Sequence, residues 1–130
     1  MGAAVEFHFG KPVVVRSISI EDITTVHGAH HELLRYELQR WEPEGWKTIA
    51  THDHIDNSNI GGWQFLQNNV RGPDYLSQSW RIYFPAGTHV ENKDRVHLGE
   101  LTQFITETYT NQQPDKANWS VFTYGHTTVF

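Results

Sequence analysis

An antiparallel all-β fold is what the pattern of this chain predicts, on three observations. Apolar and polar residues alternate with period two in several separate stretches, as they do in half-buried strands. Gly, Pro, Asn and Asp punctuate those stretches at fairly regular spacing. No segment sustains the three-and-four spacing of apolar residues that an amphipathic helix needs. With 130 residues, roughly seven to nine short strands fit one antiparallel β-sandwich or jelly roll over residues 1–130, with a small β-barrel as the alternative.

The elements follow in order. Val5, Phe7 and Phe9 alternate with Glu6 and His8, and Gly10-Lys11-Pro12 punctuates the strand. Val13-Val14-Val15, Ile18 and Ile20 make a second strand rich in β-branched residues. Glu21 to His30 reads as a loop. A hairpin comes next: Leu34, Tyr36 and Leu38 alternate with Arg35, Glu37 and Gln39, Pro43-Glu44-Gly45 turns the chain, and Trp46 to Thr51 runs back. A three-residue loop with Gly45 in the left-handed position places Trp41 outward and Trp46 inward beside Leu38; a four-residue loop would put both on one face. Asp56 to Gly62 is loop-like, Trp63 to Val70 favours strand over short helix, and Arg71-Gly72-Pro73-Asp74 turns again. Ser79 to Phe84, Leu101 to Tyr109, Trp119 to Tyr124 and Thr127 to Phe130 complete the strands.

Composition removes several functions. Cysteine is absent, so disulfides, thiolate metal sites and thiol nucleophiles are not available. A net charge of −5 without any long basic cluster argues against nucleic acid as a partner. Met1 to Glu6 opens on neither the apolar run of a signal peptide nor a myristoylation signal, and no segment is long and apolar enough to span a membrane. The compartment is not legible from this: a cytoplasmic protein, one released without an encoded signal, and a mature form already trimmed of one would look the same. No Gly-x-Ser-x-Gly elbow and no Gly-rich phosphate loop is present. Glu42, Glu44, Glu91, Glu100 and Glu107 are scattered, mostly in or beside turns, and read as solvated.

Two constellations could carry function. Five tryptophans and five tyrosines are a high aromatic load for a chain whose mean hydropathy is −0.56, so some rings should stand partly exposed. A pyranose stacks its C–H face on an indole while planar polar groups bond its hydroxyls. The outward face of the first hairpin strand offers Arg35, Glu37, Gln39 and Trp41 in a row, with Trp63 as a further platform. The other constellation is histidine. His52-Asp53-His54 puts two imidazoles on one face of an extended segment, the geometry by which a strand presents a pair of metal ligands.

Thr51-His52-Asp53-His54-Ile55-Asp56 with Gly61-Gly62 resembles the metal-binding motif of the metallo-β-lactamase superfamily. Asn57 stands where that family has its fourth ligand, two extra residues precede the glycines, and the chain is too short and too poor in helix pattern for that αββα fold. Phe84-Pro85-Ala86-Gly87-Thr88-His89, with His97 and Glu100, resembles the cupins, small β-barrels in which a Pro-x-Gly turn and spaced histidines surround a metal. The spacing to His89 is one residue short of that pattern, and the upstream histidines are not in its H-x-H register. That resemblance implies a divalent metal held by His52 and His54 with His89 or His97, and a metal-dependent enzyme.

Weighed together, these features predict a non-catalytic carbohydrate-binding, lectin-like module, without cofactor and homo-oligomeric. The cupin-like enzyme is the first alternative, and an interaction domain of a larger assembly, using its tryptophans as protein contacts, is the second.

Overall fold

The computed structural model describes residues 3–22, 25–26, 29–30, 35–53, 62–85, 97–109, 117–125 and 128–129, with side chains for 3–20, 35–53, 65–85, 103–109 and 117–123. Its strands are β1 (Ala3–Asp22), β2 (Thr25–Val26), β3 (Ala29–His30), β4 (Arg35–Glu42), β5 (Gly45–Asp53), β6 (Gly62–Gln67), β7 (Ser77–Phe84), β8 (His97–Tyr109), β9 (Ala117–Gly125) and β10 (Thr128–Val129). Every pairing is antiparallel, and the described residues contain no α-helix, only the 3₁₀ turn Pro73–Tyr75. This is the all-β architecture of the sandwich and barrel type that the alternation predicts.

β1 organises the molecule. Its first half pairs with β7, which continues to β4 and then β5. Its second half pairs with β6 and with β8, and β8 carries β9 and β10. One strand therefore belongs to two sheets, where the sequence pattern suggests two strands separated by Gly10-Lys11-Pro12. The difference has a physical reason. Proline lacks an N–H and cannot complete a ladder, but its φ is compatible with extended backbone. The chain stays extended through the tripeptide while its register against β7 jumps, from His8 opposite Ser79 to Val13 opposite Ser77.

That jump is a corner, and it is pinned. The buried Trp80 donates its indole N–H to the carbonyls of Val13 at 3.1 Å and Ser77 at 3.0 Å. Val13, Val14 and Val15 are all buried, which plain alternation does not permit and a bulged corner does. Asn68, just past β6, fastens the other side: its backbone N–H donates to the Arg16 carbonyl at 2.8 Å and its side-chain amide to the Val15 carbonyl at 3.0 Å.

The core lies between the inner faces of the two sheets. Tyr36 and Leu38 of β4, Trp80, Ile82 and Phe84 of β7 and Phe7 of β1 come from the first sheet; Ile18, Ile20, Leu66 and Phe104 come from the second. Leu38 sits opposite Ile82 and Ile18 opposite Phe104, while Phe7 packs on Phe104 across the sheets with ring centroids 4.2 Å apart.

The hairpin departs from its expected register. Glu42 pairs with Gly45 and Trp41 with Trp46, so Pro43-Glu44 is a two-residue turn and the two indoles lie on one face, 5.2 Å apart in an edge-on contact. Gly45, at φ 126°, enters the ladder. The extra residue is absorbed further along β5: Leu38 pairs with Ala50 but Gln39 with Thr48, leaving Ile49 as a bulge. Trp46 therefore does not point inward beside Leu38.

Candidate functional site

The outer face of the first sheet is built by period two. On β4, Tyr36, Leu38 and Arg40 point into the core, which leaves Arg35, Glu37, Gln39 and Trp41 on the opposite face. The bulge at Ile49 decides what β5 adds: Trp46 and Thr48 join this face, whereas beyond the bulge His52 turns inward and stacks on Tyr36 with ring centroids 4.7 Å apart. From β7 come Arg81, opposite Gln39, and Tyr83, opposite Glu37.

These polar groups form one network. Arg81 donates Nε–H to Gln39 Oε1 at 2.6 Å; the Gln39 amide donates to Glu37 Oε1 and Thr48 Oγ1, both at 3.1 Å; Thr48 donates its hydroxyl to Glu37 Oε1 at 2.6 Å. The Arg81 guanidinium lies 4.5 Å above the Trp46 ring and 5.3 Å from that of Tyr83. Gln39 is consequently buried on an outer face, walled in by its partners. At the turn end of the row, Trp41 stands 47% exposed. Close by, Arg40 hydrogen-bonds Glu42, which holds the Glu42 carboxyl below its ordinary value. At the far end Arg35 donates to Asp53 at 3.2 Å.

Arg35, Glu37, Gln39 and Trp41 thus share one face of β4: Glu37 and Gln39 belong to the network, Trp41 stands at its turn end, and Arg35 lies at the far end bonded to Asp53. Trp63 is not with them: its backbone belongs to β6 in the second sheet, opposite Glu21, and its side chain lies outside the described residues. Of the histidines, His52 has the inward placement given above, and His54 and His89 lie outside the described residues. Among the described residues no three His, Asp or Glu side chains are grouped so as to hold a metal ion.

The chain matches no protein-family model, no curated protein and no solved structure. Function has to be read from the geometry alone.

A second cluster, on the outer face of the second sheet, escaped the sequence reading. Glu107, near the end of β8, is fully buried rather than solvated. Its Oε1 lies 3.2 Å from Arg71 Nε and 3.5 Å from Arg16 Nε, and Tyr109 donates its hydroxyl to Oε2 at 2.6 Å. Burial, followed by the Glu107 hydrogen bond, raises the Tyr109 phenol above its ordinary value, so it serves as a neutral donor. Arg16 stacks 3.7 Å over the exposed Trp119. The available signal was a carboxylate inside the alternating run LTQFITETY, on the same face as Ile105 and Tyr109. A charge in that position needs a cation, but nothing local names which one.

A larger apolar groove of about 380 Å³ lies between Phe9–Val13 of β1 and Ser120–Phe122 of β9. No helix among the described residues is long and apolar enough to cross a membrane.

Proposed function

We propose that this chain is a non-catalytic carbohydrate-binding module whose sugar-contacting face is the outer surface of β4, β5 and β7. The observation that carries the reading is the half-exposed Trp41 set edge-on to Trp46 at the rim of the Glu37–Gln39–Thr48–Arg81 network. An exposed indole offers the flat apolar surface on which a sugar's C–H face stacks. The hydroxyl and carboxylate beside it are held by hydrogen bonds and the arginine by stacking, so little side-chain entropy is lost when a ligand arrives. Arg35, further along the row, extends the same face.

The test is a glycan array with the protein displayed multivalently, because a single millimolar site contributes only about 4 kcal/mol and is easily missed. The parent should bind and Trp41→Ala should not. Roughly half of an indole area of about 200 Å² is covered at Trp41; at about 25 cal/mol per Å² its truncation costs roughly 2 to 3 kcal/mol, leaving a folded variant. A parent blank across a broad array sinks the reading.

A specific observation favours a second reading, an interaction domain that assembles with copies of itself. β9 carries no charged residue and exposes Trp119, Val121 and Phe122, and among the described residues its one strand neighbour is β8. Long uncharged edge strands are templates for further pairing.

A further inference from the structure

We propose that the cleft beside Arg16 and Arg71 is a second binding site, and that its ligand is the carboxylate of a small polyhydroxylated acid of the sugar-acid class. The cleft, about 160 Å³, is lined by Arg16, Ser17, Gln67, Asn69 and Arg71 among others. It is smaller than the roughly 300 to 1,000 Å³ of sites for drug-sized ligands, so it suits one charged group with a few hydroxyls.

The charge balance comes first. Among the described residues, Glu107 is the carboxylate that faces the two guanidiniums, so the cluster holds two positive charges against one negative in a chain whose net charge is −5. Tyr109 cannot redress this, since it stays protonated and spends its hydroxyl on Oε2. The remaining carboxylate oxygen, Oε1, is buried and receives no hydrogen bond, although Arg71 Nε is only 3.2 Å away. Neither Nε–H is therefore directed at it. Each guanidinium carries five N–H donors, and both side chains are more than a third exposed, 36% for Arg16 and 38% for Arg71. Glu107 thus acts as a buried counter-charge for two arginines whose Nε–H groups are not spent on its Oε1; Arg71 also meets the Tyr109 hydroxyl, and the remaining donors of both guanidiniums are free to face the cleft.

The walls fit the rest of a sugar acid. Asn68 is fixed by bonds at both ends of its amide, donating to the Val15 carbonyl and accepting from the Val70 N–H at 2.7 Å. It braces the segment so that the exposed amides of Gln67 and Asn69 flank the guanidiniums. Trp119, half exposed and stacked on Arg16, adds an indole at the rim. Planar carboxylates match the fork of a guanidinium, amides bond hydroxyls and indoles take C–H faces.

This site is on a different sheet from Trp41, so the two readings fail separately. The experiment titrates the protein with glucuronate, glucose, acetate and inorganic phosphate, following calorimetry and the indole N–H resonance of Trp119. Glucuronate should shift that resonance saturably, glucose should not, and acetate should bind at least tenfold more weakly. Arg71→Gln should weaken glucuronate at least tenfold. Asn69→Asp does the same by placing a negative charge at an exposed position outside the Glu107 cluster, and should keep the parent Tm. Trp41→Ala should leave glucuronate binding unchanged. Failure of glucuronate to saturate the Trp119 shift well above the millimolar range, an equal Trp119 shift from glucose, or phosphate binding there as tight as glucuronate would each overturn the proposal.

Discussion

Replacing Trp80 by phenylalanine tests whether the corner of β1 is held as described. The indole is fully buried and shares its N–H between the carbonyls of Val13 and Ser77. Phenylalanine has no donor, and leaving buried acceptors short of one costs about 1 to 3 kcal/mol. The smaller ring leaves a void of ~40 Å³, about 1 kcal/mol at ~24 cal/mol per Å³, plus roughly another 1 kcal/mol for the transfer of the missing carbons. The sum is about 3 to 5 kcal/mol. At roughly 3 to 4 °C per kcal/mol for a domain of this size, the Tm should fall by about 10 to 20 °C. Urea unfolding should show a lower midpoint with an unchanged m value, because the surface exposed on unfolding is the same. Amide exchange should accelerate first around Val13 to Val15, where the bulge loses its anchor. A Trp80→Phe variant melting within about 3 °C of the parent, with protection at the corner intact, would refute this account of how one strand serves two sheets.

Further outcomes are expected. Gly45→Val should destabilise by about 1 to 3 kcal/mol in thermal melts; open space surrounds the new Cβ, so the cost comes from a β-branched residue at φ 126°, and an unchanged Tm would remove the turn assignment. Val121→Lys, charging the edge of β9 at a position 66% exposed, should leave the Tm within a degree or so and convert any oligomer seen by light scattering to monomer; an unchanged mass would clear β9 of self-association. Zinc, nickel or manganese should give the same Tm as chelator at about pH 7.5. A metal-dependent rise that fades as pH falls through about 6 to 6.5, where imidazole protonates, would restore the cupin-like enzyme.

Much of the first candidate site was legible because strand alternation is local. Tyr36 and Leu38 facing inward necessarily send Glu37, Gln39 and Trp41 to the other face, whatever packs against them. The partners were not legible. Arg81 reaches Gln39 from β7, and nothing in either segment announces the other. Thr48 and Trp46 join the face because Ile49 bulges out of the ladder; with the register of the Ala50–Asp53 half carried to the turn, both would point into the core.

From sequence alone came the strand content, the antiparallel class, the place of the turn after Glu42, though not its length of two residues, and the polar row beside Trp41. These depend on backbone sterics and on periods of two residues, which a short stretch expresses by itself. Only the tertiary structure decided that β1 is one strand in two sheets, that Ile49 resets the hairpin, and that Glu107 is buried between Arg16 and Arg71. Those outcomes are settled by which distant groups can satisfy a carbonyl, an extra residue or a buried charge, and such partners exist only once the sheets have closed on each other.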